Sequence, residues 1–221
     1  MAKRGVVFGT YNTAAQGWTL NVCHLGEAEP KTNYIDKPNG DGTWDASTAL
    51  TDGIVRFNNR DLTVRLECSD GDRLGREAKI ADIINLLHGT KVDIELPDDP
   101  YHYLRGRLKV TKEYNDLAHA AINVTGICEP WKYATRETVI TLNATTAVQT
   151  AQIINGGRRV VVPVVKVTTT DSVRLTFQGT SQALGAGTYQ LPDLVLMPGS
   201  SSLSYTGIGT VTITYREAVL E

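Results

Sequence analysis

The chain has 221 residues, of which 41% are hydrophobic and 21% charged, and a formal net charge of -2. This length suits one large domain or two small ones, each with a hydrophobic core. The near-neutral charge argues against a protein that follows a phosphate backbone. No long apolar run follows residues 1–5, so we expect neither a signal peptide nor membrane insertion.

Cysteines and histidines form no recognisable ligand pattern. The cysteines are Cys23, Cys68 and Cys128, which are far apart and lack a C-x-x-C pair. We interpret them as three small core residues of a protein made in a reducing cytoplasm. The four histidines are scattered, so no metal and no cofactor are expected.

Two short apolar segments, separated by a polar one, occupy residues 6–25. The second segment alternates between apolar and polar residues, as a half-buried strand does. Trp18, Leu20 and Val22 are therefore expected on one buried face.

A long polar stretch, residues 27–52, follows these strands. It contains two prolines and the run Asn-Gly-Asp-Gly at residues 39–42, a composition that ends regular structure. A loop of this length inside a compact domain is usually functional or disordered. Because Tyr34, Ile35 and Trp44 lie within it as ordered anchors, we interpret it as functional.

Residues 60–68 show the clearest strand pattern, with every second residue from Leu62 to Cys68 expected on the buried face. A short apolar run at residues 54–57 and the turn signal Asn58-Asn59 come just before it. Together they predict a hairpin with one solvated face.

Residues 76–88 are the only convincing helix. Asp72 is the expected N-cap and Gly89 the residue after the C-cap. One stripe at helical spacing is apolar: Ile80, Ile83, Ile84 and Leu87. We predict that this stripe packs on a sheet.

Three more strands follow the helix. Residues 91–96 alternate, an acidic turn occupies residues 97–100, and two long strands at 103–113 and 117–129 flank the turn Tyr114-Asn115-Asp116. Both strands exceed the usual five or six residues. We expect a long hairpin that projects from its sheet and meets a neighbouring molecule.

The composition changes after residue 133, and we place the domain boundary there, giving domains 1–133 and 134–221. The second domain is rich in Thr, Val, Gly and Ser, with turn signals at residues 155–157, 198–199 and 207–209. Short alternating runs occur at residues 138–142, 159–162, 165–169, 173–177, 188–191, 194–197 and 210–215. This pattern predicts a β-sandwich or barrel without helices.

No catalytic motif is present. There is no nucleophile elbow, and the glycine pairs near residues 185–187 and 207–209 lie among strands and not before a helix. Asp98-Asp99 beside Tyr101-His102 is the most site-like group, but a solvated turn explains it as well. We expect no enzyme; a wall hydrolase using Asp98 or Asp99 is the least favoured alternative.

Residues 31–45 resemble the signature of the distal tail proteins of siphophages. In that family the stretch is followed by Leu-Thr-x-Gly and an Asn-Arg strand, which correspond here to residues 50–53 and 57–68. The helix before Gly89 and the strand ending at residues 128–130 match in order. One difference lies at residues 37–39, where Pro-Asn stands in place of the usual Pro-Gly.

The second half is similar to the galectin-like sandwich of the same family. The matching pieces are the glycine pair after Asn155, Pro163, the Pro198-Gly199 turn, residues 207–211 and residues 215–217. The resemblance therefore implies a mainly β chain. Its first domain would be β-sandwich-like with one helix and a long projecting hairpin, and its second domain galectin-like.

The resemblance implies a structural role at the tip of a phage tail. Six copies would form a ring, with first domains as the belt and sandwiches outside. The partners would be the tail tube protein, the tail-tip hub protein and the tape-measure protein. DNA would cross the lumen without sequence-specific binding. The candidate assembly residues are Asn33, Tyr34, Asp36, Pro38, Gly40, Asp41, Gly42, Trp44, Asn59, Arg60, Tyr114, Asn115 and Asp116.

The location implied is the virion tail tip, after synthesis in the cytoplasm of the bacterial host. A second hypothesis is a receptor-binding module whose sandwich binds cell-wall glycan through Tyr189 or Tyr205. All three tryptophans lie in the first domain, and sugar-binding sandwiches often present tryptophan platforms. This disfavours the second hypothesis without excluding it.

Overall fold

A computed structural model describes residues 5–51 and 53–221; residues 1–4 and Asp52, the last residue of the long polar stretch, lie outside the described part. The chain divides into two compact units, one ending at Lys132 and one from Tyr133 to Glu221. As predicted, the described residues are mainly strands with one helix. The elements are β1 Val7–Phe8, β2 Tyr11–Asn12, β3 Thr19–Leu25, β4 Tyr34–Asp36, β5 Thr43–Asp45, β6 Arg60–Cys68, α1 Arg73–Leu87, β7 Lys91–Leu96, β8 Asp99–Asn115, β9 Ala120–Cys128, β10 Lys132–Ala134, β11 Thr138–Ala144, β12 Gln149–Asn155, β13 Val164–Phe177, β14 Thr180–Leu184, β15 Gly187–Gln190, β16 Gly199–Tyr215 and β17 Ala218–Val219.

The first unit is built on an antiparallel sheet in the order β2-β1-β7-β8-β9-β6-β3. Alternating residues of β6, β8 and β9 point into one core, as the sequence pattern predicts. Ile80, Ile83 and Leu87 of α1 pack into the same core. The helix therefore covers one face of the sheet.

Helix α1 begins three residues before the predicted range of 76–88, directly after its predicted N-cap Asp72, and ends at Leu87, two residues before Gly89. The Asp72 side chain accepts a hydrogen bond from the Gly75 amide at 2.8 Å. Gly89, just past the C-cap, has a φ of 78°, which glycine adopts without strain. No helix in the described part of the chain is long and apolar enough to cross a membrane.

The hairpin predicted from residues 54–57 is wrong. Strand β6 pairs with β9 and β3 and not with this run. Phe57 instead forms an isolated bridge with Pro30, across the long polar stretch. The run was apolar enough to resemble a strand, but its partner lies 27 positions earlier in the chain.

The hairpin of β8 and β9 is long, as predicted, but it does not project from the sheet. Every residue of β9 pairs with β6 on the side away from β8. Its turn also differs from the prediction, because Asn115 still belongs to β8 and pairs with Ala120.

Strand β3 departs from its predicted alternation. The pairing with β6 shifts between Leu20 and Val22, so Asn21 is an extra residue. Val22 is consequently exposed rather than buried. Cys23 is exposed too, which corrects the prediction of three core cysteines; Cys68 and Cys128 are buried.

The second unit is a six-stranded sheet whose long strands β13 and β16 pair along most of their length. Residues 207–209, predicted as a turn, lie within β16, opposite a register shift in β13 between Thr169 and Val173. A Cβ on Gly207 would lie 2.5 Å from the Ser172 carbonyl oxygen. Glycine is needed there because the two backbones approach closely.

Other strands of the second unit differ from the sequence pattern. Residues 159–162 and 194–197 form only an isolated bridge between Val161 and Leu196. The pattern missed β12 and β14, which pair with β16 and β13. As predicted, residues 133–221, all of them described, contain no helix.

Candidate assembly surface

The first unit contains a separate hairpin, called the arm here, whose described residues are 27–51 and 53–59. Its two strands, β4 and β5, pair only with each other. All six residues of these strands are exposed. Ile35 and Trp44 are direct cross-strand partners, 49% and 55% exposed, and form an apolar face on the arm. An uncovered pair of large side chains is typical of a contact surface.

The tip of the arm, residues 37–42, is a tight turn closed by a hydrogen bond from the Lys37 amide to the Gly42 carbonyl. Asn39 and Gly42 have φ values of 57° and 75°. Asparagine tolerates this left-handed conformation better than other non-glycine residues. The Asn in place of the usual glycine is therefore compatible with the same turn.

Side-chain hydrogen bonds organise the base of the hairpin. The Asn33 amide donates to Ser47 Oγ at 2.8 Å, and the Ser47 amide donates to Asp45 Oδ1 at 2.9 Å. Hydrogen bonds from the Ser47 side chain and backbone lower the pKa of Asp45. The arm is thus a formed element with its own internal bonds.

Eight of the candidate residues named from sequence lie on this arm and are exposed: Asn33, Tyr34, Asp36, Pro38, Gly40, Asp41, Gly42 and Trp44. Asn59 is exposed at its end. Arg60, by contrast, is only 2% exposed. Its Nε donates to the Gly26 carbonyl at 2.6 Å, so its guanidinium faces its own unit, and we remove it from the candidate surface.

The residues named at the β8–β9 turn lie apart from the arm set in the sequence and are held differently. Asn115 is buried and donates to Glu77 Oε2 at 2.8 Å and to the Arg73 carbonyl at 3.0 Å. We therefore remove it from the candidate surface as well. Tyr114 is half-buried and Asp116 is exposed.

A buried arginine that sequence reasoning missed holds this turn. Arg76 is 2% exposed and donates to the carbonyls of Gly71, Asp116 and Leu117 at 2.6, 2.9 and 3.1 Å. Asp116 in turn accepts the amides of His119 and Ala118, which lower the pKa of its carboxyl. In the sequence, the burial of Arg76 could have been inferred only from its position beside the apolar stripe of the helix.

Two exposed leucines were also missed. Leu50 on the arm is 99% exposed and Leu117 on the β8–β9 turn is 92% exposed. Strand β3 lies at the end of the sheet order, so one of its edges is unpaired among the described strands. Both kinds of feature are suited to contacts with another chain.

The group singled out at residues 98–102 is an ion cluster. Asp99 Oδ1 lies 2.8 Å from His102 Nδ1, and its Oδ2 lies 3.3 Å from Lys132 Nζ. Burial raises the pKa of Asp99, but these contacts outweigh it and the pKa is lowered. Among the described residues no three His, Cys, Asp or Glu side chains are grouped as metal ligands would be.

The aromatic residues proposed to bind glycan are part of the second core. Tyr205 is buried at 9% exposure, and Tyr189 packs against the same cluster, donating from its hydroxyl to the Gly185 carbonyl. A sugar platform needs an exposed ring face, whereas Tyr205 is buried and Tyr189 is half-buried. The structure therefore offers no specific support for the second hypothesis.

The fold defines a class of protein: it has two units, and its described residues are mainly β with one helix in the first unit. Among solved structures the chain is similar to the SPP1 Dit (gp 19.1) protein, with a TM-score of 0.70 and 17% sequence identity. The match covers 96% of this chain and 98% of that one. That protein is described as a paradigm of the hub adsorption apparatus in phages infecting Gram-positive bacteria. No protein-family pattern and no curated protein matches the sequence.

Proposed function

We propose that this chain is a structural protein of a phage tail tip, and that copies of it close into a hexameric ring between the tail tube and the tip hub. The observation that carries the proposal is the match of nearly the whole chain to the fold of the SPP1 Dit protein. A match over both units is more specific than one over a single sandwich, which many unrelated proteins share.

The arm supports an assembly role independently of that match. Ile35 and Trp44 expose an apolar pair, about half of each side chain, and burying that half against a second molecule would stabilise the contact by about 1 kcal/mol per side chain. A ring requires head-to-tail contacts between two different surfaces of each copy. We propose that the arm provides one of these surfaces, and the first unit of the next copy the other.

The remaining partners follow from the same proposal. One face of the ring would meet the tail tube protein and the other the hub protein, with the tape-measure protein as a further neighbour. DNA would cross the lumen without sequence-specific contacts, as a net charge of -2 suits. The chain would act in the virion tail tip, without catalysis.

Native mass spectrometry of the purified protein at micromolar concentration tests the proposal. A species of six times the 24.1 kDa monomer is expected. Trp44→Ala should shift the population toward monomer. Val148→Ala, which trims an apolar side chain of the second unit that is 74% exposed, should not. A wild-type protein that stays monomeric even with its tail tube and hub partners would contradict the proposal.

A further inference from the structure

The root of the arm is the place where its two ends, near residues 29–31 and 56–58, run side by side. Backbone hydrogen bonds join the two chain segments of the root. The Asn58 amide donates to the Glu29 carbonyl and the Lys31 amide to the Arg56 carbonyl, both at 2.8 Å. These bonds hold the two segments to each other. They do not by themselves fix the direction in which the arm leaves the unit.

Among the described residues, the side chains of Arg60 and Trp131 connect the arm to the body of the first unit. Arg60, buried at the end of the arm, donates to the carbonyl of Gly26 at 2.6 Å, where the chain enters the arm, and reaches the carbonyl of Pro130 at 3.5 Å. Trp131 meets the Phe57 ring edge-on, with centroids 5.4 Å apart at 80°. This geometry is favourable for aromatic pairs.

The segment that carries Pro130 and Trp131 is itself anchored. The Glu129 amide donates to the Arg105 carbonyl of β8 at 2.8 Å, and Lys132 pairs with Asp99 at the start of β8. A series of contacts therefore links the central sheet to the arm. The sheet holds residues 129–132, and this segment meets the arm through Arg60 and Trp131. The same segment leads directly into the second unit.

We propose that Arg60 and Trp131 are positioning residues, which set the direction of the arm and so allow it to reach a second copy. The inference rests on the proposed function, because it assigns the arm to assembly. It also explains why an arginine in an exposed, assembly-related stretch is buried: it orients the arm without touching the partner.

Hydrogen–deuterium exchange of the full-length protein, together with native mass spectrometry, tests the inference. In Trp131→Ala, the two hydrogen-bonded amides of the root, those of Lys31 and Asn58, should exchange about tenfold faster, as expected for losing one aromatic pair and its burial. Amides of β6 and α1 should keep their wild-type rates. Ring formation should fall with the root protection, although Trp44 and Ile35 are intact.

Two further variants separate positioning from general stability. Trp131→Phe retains an aromatic edge contact and should recover both root protection and assembly. Arg60→Lys keeps the charge but cannot span both carbonyls, and should behave like Trp131→Ala.

Unchanged root exchange in Trp131→Ala, or full assembly despite a loosened root, would overturn the inference. Faster exchange throughout β6 and α1 would also overturn it, since it would indicate general destabilisation. If the wild-type protein forms no ring, the proposed function fails instead. The amide exchange rates at the root then still show whether Arg60 and Trp131 hold the arm in place.

Discussion

The first unit contains two hairpins that are held in opposite ways. The β8–β9 hairpin is embedded in a sheet, flanked by β6, and its turn is fixed by the buried Arg76. The β4–β5 arm has no other strand as a neighbour and exposes an apolar pair. One hairpin supports the core, and the other is available to a second molecule. The difference shows that strand length does not decide which hairpin projects; the available pairing partners do.

The largest expected effect is at the turn of the embedded hairpin. Arg76→Met removes a buried guanidinium that donates to three part-buried carbonyls, so the free energy of unfolding should fall by about 3 kcal/mol. Arg73→Met, an exposed neighbour on the same helix, should change it by less than about 0.5 kcal/mol. Chemical denaturation of both variants measures this. Equal effects would remove the special role of Arg76.

A pair of glycine substitutions compares the two hairpins directly. A Cβ on Gly106 of β8 would lie 2.6 Å from Cys128 Sγ, so Gly106→Ala should destabilise by about 1–3 kcal/mol through overpacking. At Gly42 in the arm a Cβ has open space, and Gly42→Ala should cost only the strain of its positive φ, about 1 kcal/mol, confined to the arm. Thermal unfolding measures both effects, and Gly106→Ala should lower Tm more than Gly42→Ala. The reverse order would contradict the distinction.

Acid pH should affect the two hairpins differently. The pKa of Asp116 is lowered by the His119 and Ala118 amides, so its stabilising contribution is present above the unfolded pKa of about 3.9 and is lost as pH falls through the lower folded value. Asp116→Asn should therefore flatten the fall of Tm on acidification. Asp45→Asn on the arm should leave the Tm profile unchanged, because the arm contributes little to global unfolding. The same pH dependence of Tm in Asp116→Asn and Asp45→Asn would contradict this difference between the hairpins.

The smallest effect on stability is expected at the arm surface. Trp44→Ala removes a side chain that is 55% exposed in the single chain and should change the free energy of unfolding by less than about 0.5 kcal/mol. Denaturant titration of the monomeric fraction checks this. A loss above about 2 kcal/mol would mean that Trp44 serves the fold and not assembly.

Periodicity was sufficient to predict the elements that bury one face. Strand β6, helix α1 with both caps, and the long β8–β9 pair follow from alternation, helical spacing and capping residues. Periodicity did not predict strand pairing wherever the pairing depends on a distant segment of the chain. The Phe57–Pro30 bridge, the extra residue at Asn21 and the close approach at Gly207 each require a partner that local pattern does not specify.

The candidate surface divides in the same way. Composition identified residues 27–52 as unusual, and the family resemblance selected residues 31–45 within them. Neither predicted that two three-residue strands would place Ile35 opposite Trp44. Burial of Arg60 and Asn115 could not be predicted, because both look like ordinary exposed polar residues beside turns. Their carbonyl and carboxylate partners come from other parts of the unit.

Electron microscopy of the purified protein, alone and with its tail tube and hub partners, tests the central claim most directly. We expect closed six-fold rings in two-dimensional class averages, with each arm lying on the first unit of the next copy. Single particles of monomer size in both samples would contradict it.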